Sequence, residues 1–330
     1  LAALTQTLRR ECVKVSVEEP NPAFLTSGPI WLRDFEFGWT SLTVRKTGAR
    51  VPYSPSVIAE ATAWLRYFFA VQAAEPIGAP FTIAFTPERA RPWYLVWAVA
   101  RLAGGRYTRD PAGADMLVHF EDHTVTPNPP PARLKPSCKL VNFDCSDVSK
   151  SHVAQIFDET FGYPLAVDPK AHVGETVEKS EINGAHDGRI VQCPTPPLAG
   201  RVYQQLIDNR CIDLDHVDDL RTCTVNHKPV CVFIKRRPLS RRFQNTNSEV
   251  LMRAPEQVFS ADERAKIGAF MRGMGMNWGA IDVLRDRNDG RLYIVDANKT
   301  DMGPPIALPL ADKMAATRKL AAAFRDLVTN

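Results

Sequence analysis

One segment constrains this chain more than any other: Asn277–Pro305, NWGAIDVLRDRNDGRLYIVDANKTDMGPP. Asn288-Asp289-Gly290 reads as a three-residue hairpin loop, with Gly290 supplying the left-handed position such loops need. Arg287 then pairs with Arg291, and the same register sets Asp282 opposite Asp296. Side chains alternate along a strand, so Asn298 shares the face of Asp296. Directly opposed carboxylates, with Cβ atoms ~5 Å apart, repel and destabilise a sheet. The pair requires that one carboxyl be protonated, with a raised pKa, or that a cation lie between them. Oxygen ligands from Asp282, Asp296 and Asn298 suit Mg²⁺ or Mn²⁺, with phosphate oxygens and water in the remaining positions. The bland alternatives are a solvated Asp at a strand end, or an even loop that shifts the register by one.

Other elements follow from period and punctuation. A helical pattern runs from Ser54 to Ala74, with Ile58, Ala61, Leu65 and Phe68 or Phe69 on one side. Phe81–Phe85, Asp115–Phe120 and Leu140–Phe143 read as short strands, with an apolar helix opened by Pro92 and closed by Gly104-Gly105. A proline cluster, Pro127–Pro131, marks a loop, and a helix from Ser149 stops at Gly162. This alternation suggests a small α/β lobe with a parallel sheet. Beyond Pro164 the pattern turns antiparallel. Strands at Glu175–Ser180 and Arg189–Gln192 flank a Gly184/Gly188 loop, and Arg201–Ile207 is another strand. Leu220–Val225 and Val230–Lys235 form a hairpin. Ser260 opens a capped helix, and a last helix spans Asp312–Val328.

Composition excludes several classes. Of 330 residues, 45% are apolar and 24% charged, which argues against disorder. The longest apolar run, Trp93–Ala100, is far short of the ~20 residues that span a bilayer. Arg9, Arg10 and Glu11 break the first residues before they resemble a signal peptide. Seven cysteines without a C-x-x-C pair fit reduced thiols in a cytoplasmic protein. A net charge of +4 is too weak to imply nucleic acid.

With Gln204-Gln205-Leu206-Ile207-Asp208 and Asp219-Leu220-Arg221 before it, the Asn277–Pro305 stretch resembles the catalytic half of the ATP-grasp superfamily. The pattern is nearest to glutathione synthetase and ribosomal-protein glutamate ligase types. The resemblance covers roughly residues 150 to 305, and none of its motifs is long. It implies an α/β plus α+β fold: an N-terminal α/β lobe (1–148), a small lid (149–203) and a C-terminal antiparallel catalytic lobe (204–330). It also implies ATP-dependent ligation of a small-molecule or peptide carboxylate to an amine or other nucleophile, with Mg²⁺.

Residue by residue, Asp282, Asp296 and Asn298 match the metal ligands. Gln205, Leu206 and Ile207 match the hinge on adenine, with Asp208 near the ribose. Arg221 matches the arginine facing the transferred phosphate, and Lys179 and Lys150 match the two lysines on the nucleotide. Gly184 and Gly188 stand in the lid loop. Two departures are that Asp296 stands where the motif usually has Glu, and that the lid loop holds only two separated glycines. On their own, Lys179 and Lys150 are equally readable as solvated lysines at a strand end and a helix start, and Gln205 as a polar edge residue.

The basic run Lys235–Arg242 has three readings: a solvated loop, a nucleic-acid contact, or a grip on phosphate or substrate carboxylate by Lys235 or Arg237. Asn245-Thr246-Asn247 follows as part of the same loop. The rival functions are an ATP-grasp kinase, which stops at phosphorylation, and a non-catalytic nucleotide- or nucleic-acid-binding protein. The expected partners are small molecules or peptides, with no nucleic acid and no membrane.

Overall fold

A small antiparallel sheet leads the described chain, a computed structural model covering residues 31–45, 48–127, 138–244 and 246–329. Its strands are β1 (Phe35–Phe37), β2 (Ser41–Val44) and β3 (Arg50–Pro52), each too short for alternation to show in sequence. Helix α1 (Pro55–Ala73) starts where the Ser54 hydroxyl accepts from the Val57 amide. Its packed face differs from the expected stripe. Ile58, Leu65 and Phe69 are exposed, whereas Val57, Tyr67 and Val71 are buried. The helix is apolar on both sides, so period alone does not select the face.

Next come β4 (Phe81–Pro87), helix α2 (Leu95–Leu102), β5 (Gly105–Tyr107), β6 (Met116–Phe120) and β7 (Lys139–Val141). The four strands form a parallel sheet in the order β5-β4-β6-β7, the α/β lobe expected from the alternation. Pro92 lies in the turn before α2 and not in its first turn. Helix α3 (Lys150–Phe161) is capped by Ser149 and stopped by Gly162 in the left-handed conformation, φ 79°.

Two antiparallel sheets follow. Strands β8 (Gly174–Ser180), β9 (Arg189–Cys193) and β10 (Arg201–Gln205) are ordered β10-β8-β9. The larger sheet holds β11 (His216–Val225), β12 (Lys228–Pro238) and β13 (Glu249–Arg253). Helix α4 (Ala261–Gly273) intervenes, then β14 (Trp278–Arg285) and β15 (Leu292–Asn298), giving the order β13-β12-β11-β14-β15. Asn226 and His227, at φ 49° and 60°, make the two-residue turn between β11 and β12. Helix α5 (Leu310–Thr329) ends the described chain. No helix among the described residues is long and apolar enough to cross a membrane.

The larger sheet separates two environments. One face buries Leu220, Val232, Ile281 and Val283 with residues of α3 and α4. The other face carries Cys223, Phe233, Trp278 and Ala280 into the core shared with α2 and α5, where Phe324 meets Trp278 edge-on at 5.3 Å. Farther along the same strands this second face becomes charged: Asp219 and Arg221 on β11, Lys235 and Arg237 on β12, Asp282 on β14. Period-2 alternation therefore sets those five side chains on one surface.

The β14–β15 register corrects the hairpin reading in an instructive way. Arg287 does not pair with Arg291. The Asp286 amide bonds the Arg291 carbonyl at 2.9 Å, and Arg285, Leu284 and Val283 face Leu292, Tyr293 and Ile294. The loop is thus one residue longer than expected. A bulge between Asp282 and Val283 then shifts the pairing by one, so Asp282 does face Asp296 and Ala280 faces Asn298. Asn245 and residues 128–131 of the proline cluster lie outside the described residues, as does Cys12.

Candidate functional site

Two cavities border the charged face of the larger sheet. The first, ≈ 180 Å³, lies between that face and the β8–β10 sheet; Lys150, Lys179, Gly184, Gly188, Gln205, Ile207, Lys235 and Arg237 line it. The second, ≈ 330 Å³, is lined by Glu60, Trp64 and Tyr67 of α1, by Trp93, by Arg221 and Asn298, and by residues 301–307. Five residues line both: Gly184, His186, Lys235, Asp282 and Asp296.

The opposed carboxylates are held by cations of the protein itself. Arg221 Nη1 donates to Asp282 at 3.0 Å and Lys235 Nζ at 3.3 Å, while Lys150 Nζ meets Asp296 at 2.6 Å. Arg221 also forks to Asp301. The raised pKa expected for the pair is therefore not what Asp282 shows. Burial alone would raise it, but the Arg221 and Lys235 charges outweigh burial and hold it well below the ordinary carboxylate range. Burial likewise opposes the Arg221 charge, and Asp282 and Asp301 overcome it, raising the guanidinium pKa further. Among the described residues, no group of three His, Cys, Asp or Glu is placed to hold a metal ion. The candidate set Asp282, Asp296 and Asn298 includes an amide, and its carbonyl oxygen already accepts from the Thr300 amide at 3.0 Å.

Lysines 150 and 179 converge on the first cavity from different elements. Lys150, at the first position of α3, is buried at 5% exposure and reaches both Asp296 and the Asn183 side chain. Lys179, on β8, donates to the Val295 carbonyl at 2.9 Å. Burial and the adjacent Lys150 charge bring the Lys179 pKa down to about 7, against the pull of Asp296 and Asp282. Gly184, at φ 75°, stands in the loop after β8; a Cβ at Gly188 would approach the Phe243 ring to 2.9 Å. That close approach joins this loop to the segment following β12.

The other expected residues separate. The Gln205 amide bonds the Leu165 carbonyl at 2.9 Å. Gln205 and Ile207 line the first cavity, whereas Leu206 and Asp208 are not among its lining residues. Asp208 instead binds the Arg210 guanidinium through two 2.7 Å contacts, and Asn209 takes the cavity position. Arg237, 5% exposed, binds Asp219 at 2.5 Å and the carbonyls of Arg242 and Gln244, so it secures the loop after β12. Arg236 faces away to Asp218 and Glu249, and Arg242 binds the Ile207 carbonyl. The basic run is thus largely committed to partners within the chain.

Sequence reasoning missed Asp301, His186, and the aromatic wall of Trp64, Tyr67 and Trp93. It also missed the latch in which Thr300 donates to Asp122 at 2.6 Å and Tyr94 donates to the same carboxylate at 2.8 Å. None of these had a local signal, because each joins segments far apart in the chain, as Asp301 beyond β15 joins Arg221 on β11.

No protein-family model matches the chain, and no curated protein matches its sequence. Among solved structures it is similar to the ATP-grasp ligase PsnB complexed with minimal precursor, Mg and ADP: 12% identity, 74% of this chain and 100% of that one, TM-score 0.45. Another PsnB structure, with minimal precursor, matches at 14% identity over 55% of this chain, spans 64% of that chain and has a TM-score of 0.37. The RimK domain protein ATP-grasp from Sphaerobacter thermophilus is 12% identical, over 76% of this chain and 100% of that one, TM-score 0.44. The macrocyclase MdnC bound with precursor peptide MdnA, from Microcystis aeruginosa, is 12% identical over 77% and 100%, TM-score 0.41.

Proposed function

We propose that this chain is an ATP-grasp enzyme, an ATP-dependent ligase that activates a carboxylate as an acyl phosphate and joins it to an amine. One observation carries the reading: a cationic cavity and a larger, aromatic-walled one share a border at Asp282, Asp296 and Lys235. A phosphoryl donor in the first and an acceptor in the second meet across that border.

In this reading residues 149–203 act as a lid over the nucleotide. Lys179 and Lys150 neutralise phosphate charge, the Gly184/Gly188 loop covers it, and main chain at Gln205 and Ile207 meets the base. Asp282, Asp296 and Asn298 would hold Mg²⁺, and the donor set fits: two opposed carboxylates at the border and an amide oxygen beside them in the second cavity, all oxygen ligands. Bound there, the ion would offset charge on the phosphate oxygens. Arg221 and Lys235 keep Asp282 ionised, and Lys150 pairs with Asp296 across the same border.

The chain's part in the chemistry is positioning and charge compensation in a site screened from water. A carboxylate oxygen of the acceptor attacks the γ-phosphorus and ADP leaves. The amine nitrogen then attacks the acyl carbon, phosphate departs and the amine loses a proton. Arg221, on the second-cavity side of the border and forked between two acids, would meet charge on the phosphoryl in transfer.

Product analysis tests the reading. Incubation with MgATP and mixed carboxylates and amines should give ADP, free phosphate and a new amide by mass spectrometry. Phosphate retained on the acceptor would make the enzyme a kinase, and absence of ATP turnover with every acceptor would remove the reading.

A further inference from the structure

The proposed reaction leaves its acceptor unnamed, and the second cavity has features that narrow the choice. Glu60, Trp64 and Tyr67 lie at i, i+4 and i+7 on α1, a spacing that aligns them on one helical face toward the cavity. Trp93 continues that wall from the turn before α2. The rings are fixed by others behind them. Trp64 stacks on Phe68 with centroids 5.4 Å apart and meets Trp31 edge-on at 5.1 Å. Trp93 meets Phe35 edge-on at 5.3 Å. The Tyr67 hydroxyl is bonded to Thr317 at 2.8 Å, which leaves its ring as the surface offered. Such walls are flat, apolar and already ordered, so a ring settling on them loses little further freedom.

Lys313 adds a charge to this cavity. It is 4% exposed, its ammonium donates to the Ile306 carbonyl at 2.9 Å, and among the described residues it forms no ion pair. A buried cation with a carbonyl as its partner is under-compensated, and an anion in the cavity would correct this. The other cations of this cavity, Arg221 and Lys235, already face Asp282 and Asp301.

We propose that the second cavity takes an aromatic carboxylic acid of amino-acid size, its ring against Trp64, Tyr67 and Trp93 and its negative charge compensated by Lys313. A cavity of ≈ 330 Å³ suits a single small ligand. The proposal deepens the ligase reading and rests on it for the phosphoryl donor.

Calorimetry on the full chain with Mg²⁺ and a non-hydrolysable ATP analogue, using 3-phenylpropionate and L-glutamate as probes, tests it alongside ADP release with ATP. 3-Phenylpropionate should bind at least tenfold more tightly than glutamate. Lys313→Met and Trp64→Ala should each weaken its binding tenfold or more, while Trp64→Phe, which keeps a ring and guards against misfolding of the alanine variant, should hold it within threefold. Tighter glutamate binding, or 3-phenylpropionate binding that survives both losses, overturns the assignment. If 3-phenylpropionate binds as expected but no acid stimulates ADP release, the cavity assignment stands and the ligase reading falls. If other acids stimulate ADP release and aromatic acids do not compete, the cavity assignment falls and the ligase reading stands.

Discussion

The two cavities differ in how they are built. The first is a charged cleft whose cations and acids stand mostly on regular strands and at one helix start, at positions that alternation and capping dictate. The second takes Trp64 and Tyr67 of its aromatic wall from α1, more than 200 residues before the acidic border it adjoins, Trp93 from the turn before α2, and its cation Lys313 from α5. Strand alternation marks locally which charged side chains share a face, although their counter-charges arrive from distant segments. An apolar pocket carries no such local mark, and its walls too are assembled from distant segments.

The largest expected effect falls on the border. Asp296→Asn should lower turnover by about 10³-fold, the scale of removing a preorganised electrostatic group. It should also abolish the extra thermal stability that ATP confers with Mg²⁺ over ATP with EDTA. Equal stabilisation by ATP with and without divalent metal, in the unsubstituted chain, would detach the metal from this site and erase the functional contrast between the cavities.

Asp282→Asn sharpens the comparison in the nucleotide-free state. Two bare carboxylates would make this substitution stabilising. Because Arg221 and Lys235 already pair with Asp282, it should instead destabilise the fold by about 2 kcal/mol, the scale of a lost charged hydrogen bond. Urea unfolding measures the sign. A more stable variant would mean that repulsion from Asp296 outweighs the pairing.

Lys179 gives a smaller, pH-dependent effect. With its folded pKa near 7 and the unfolded value in the ordinary lysine range, the unfolded chain binds more protons between those values. This group therefore makes stability rise with pH across that window. Nucleotide phosphate favours the ammonium form, so ATP affinity moves oppositely and should fall about tenfold from pH 6 to 8.5. Calorimetry across that range, with proton uptake on binding, checks the prediction, and Lys179→Ala should flatten the profile. A flat profile before substitution would place Lys179 outside the nucleotide contact.

The smallest expected effect lies at the far end of the hairpin. Asp286→Asn and Asp289→Asn should change stability by less than about 0.5 kcal/mol and leave the metal-dependent increment intact. Both side chains accept bonds from nearby loop amides, Asn288 at 2.7 Å and Arg291 at 2.9 Å, and neither lines either of the two cavities described. Thermal melts with MgATP suffice to show it.

Several elements were legible because their signals are local. Ser149 and Gly162 bracket α3, the Ser260 capping box opens α4, and Asn226-His227 turns β11 into β12. Strand β13 and the β1–β3 sheet were not, since short strands are made by their neighbours more than by their own composition. The Asp282–Asp296 pairing was anticipated for an incomplete reason. Sequence spacing gives a three-residue loop where the structure has four, and a bulge that no sequence signal announces restores the register.

By itself, the sequence determined which residues share a face. Period-2 alternation commits Asp219, Arg221, Lys235, Arg237 and Asp282 to one surface once β11, β12 and β14 pair. Only the tertiary structure decided how those charges are compensated. It brought Lys150 from α3 to Asp296, and Asp301 from beyond β15 to Arg221. It also turned the Trp64–Tyr67 face of α1 toward a cavity while Ile58, Leu65 and Phe69 stayed exposed. Alternation is a property of the backbone, present wherever a strand forms. Charge pairing and the choice of a buried helix face depend on what packs there, and such contacts join residues that no short window of sequence contains.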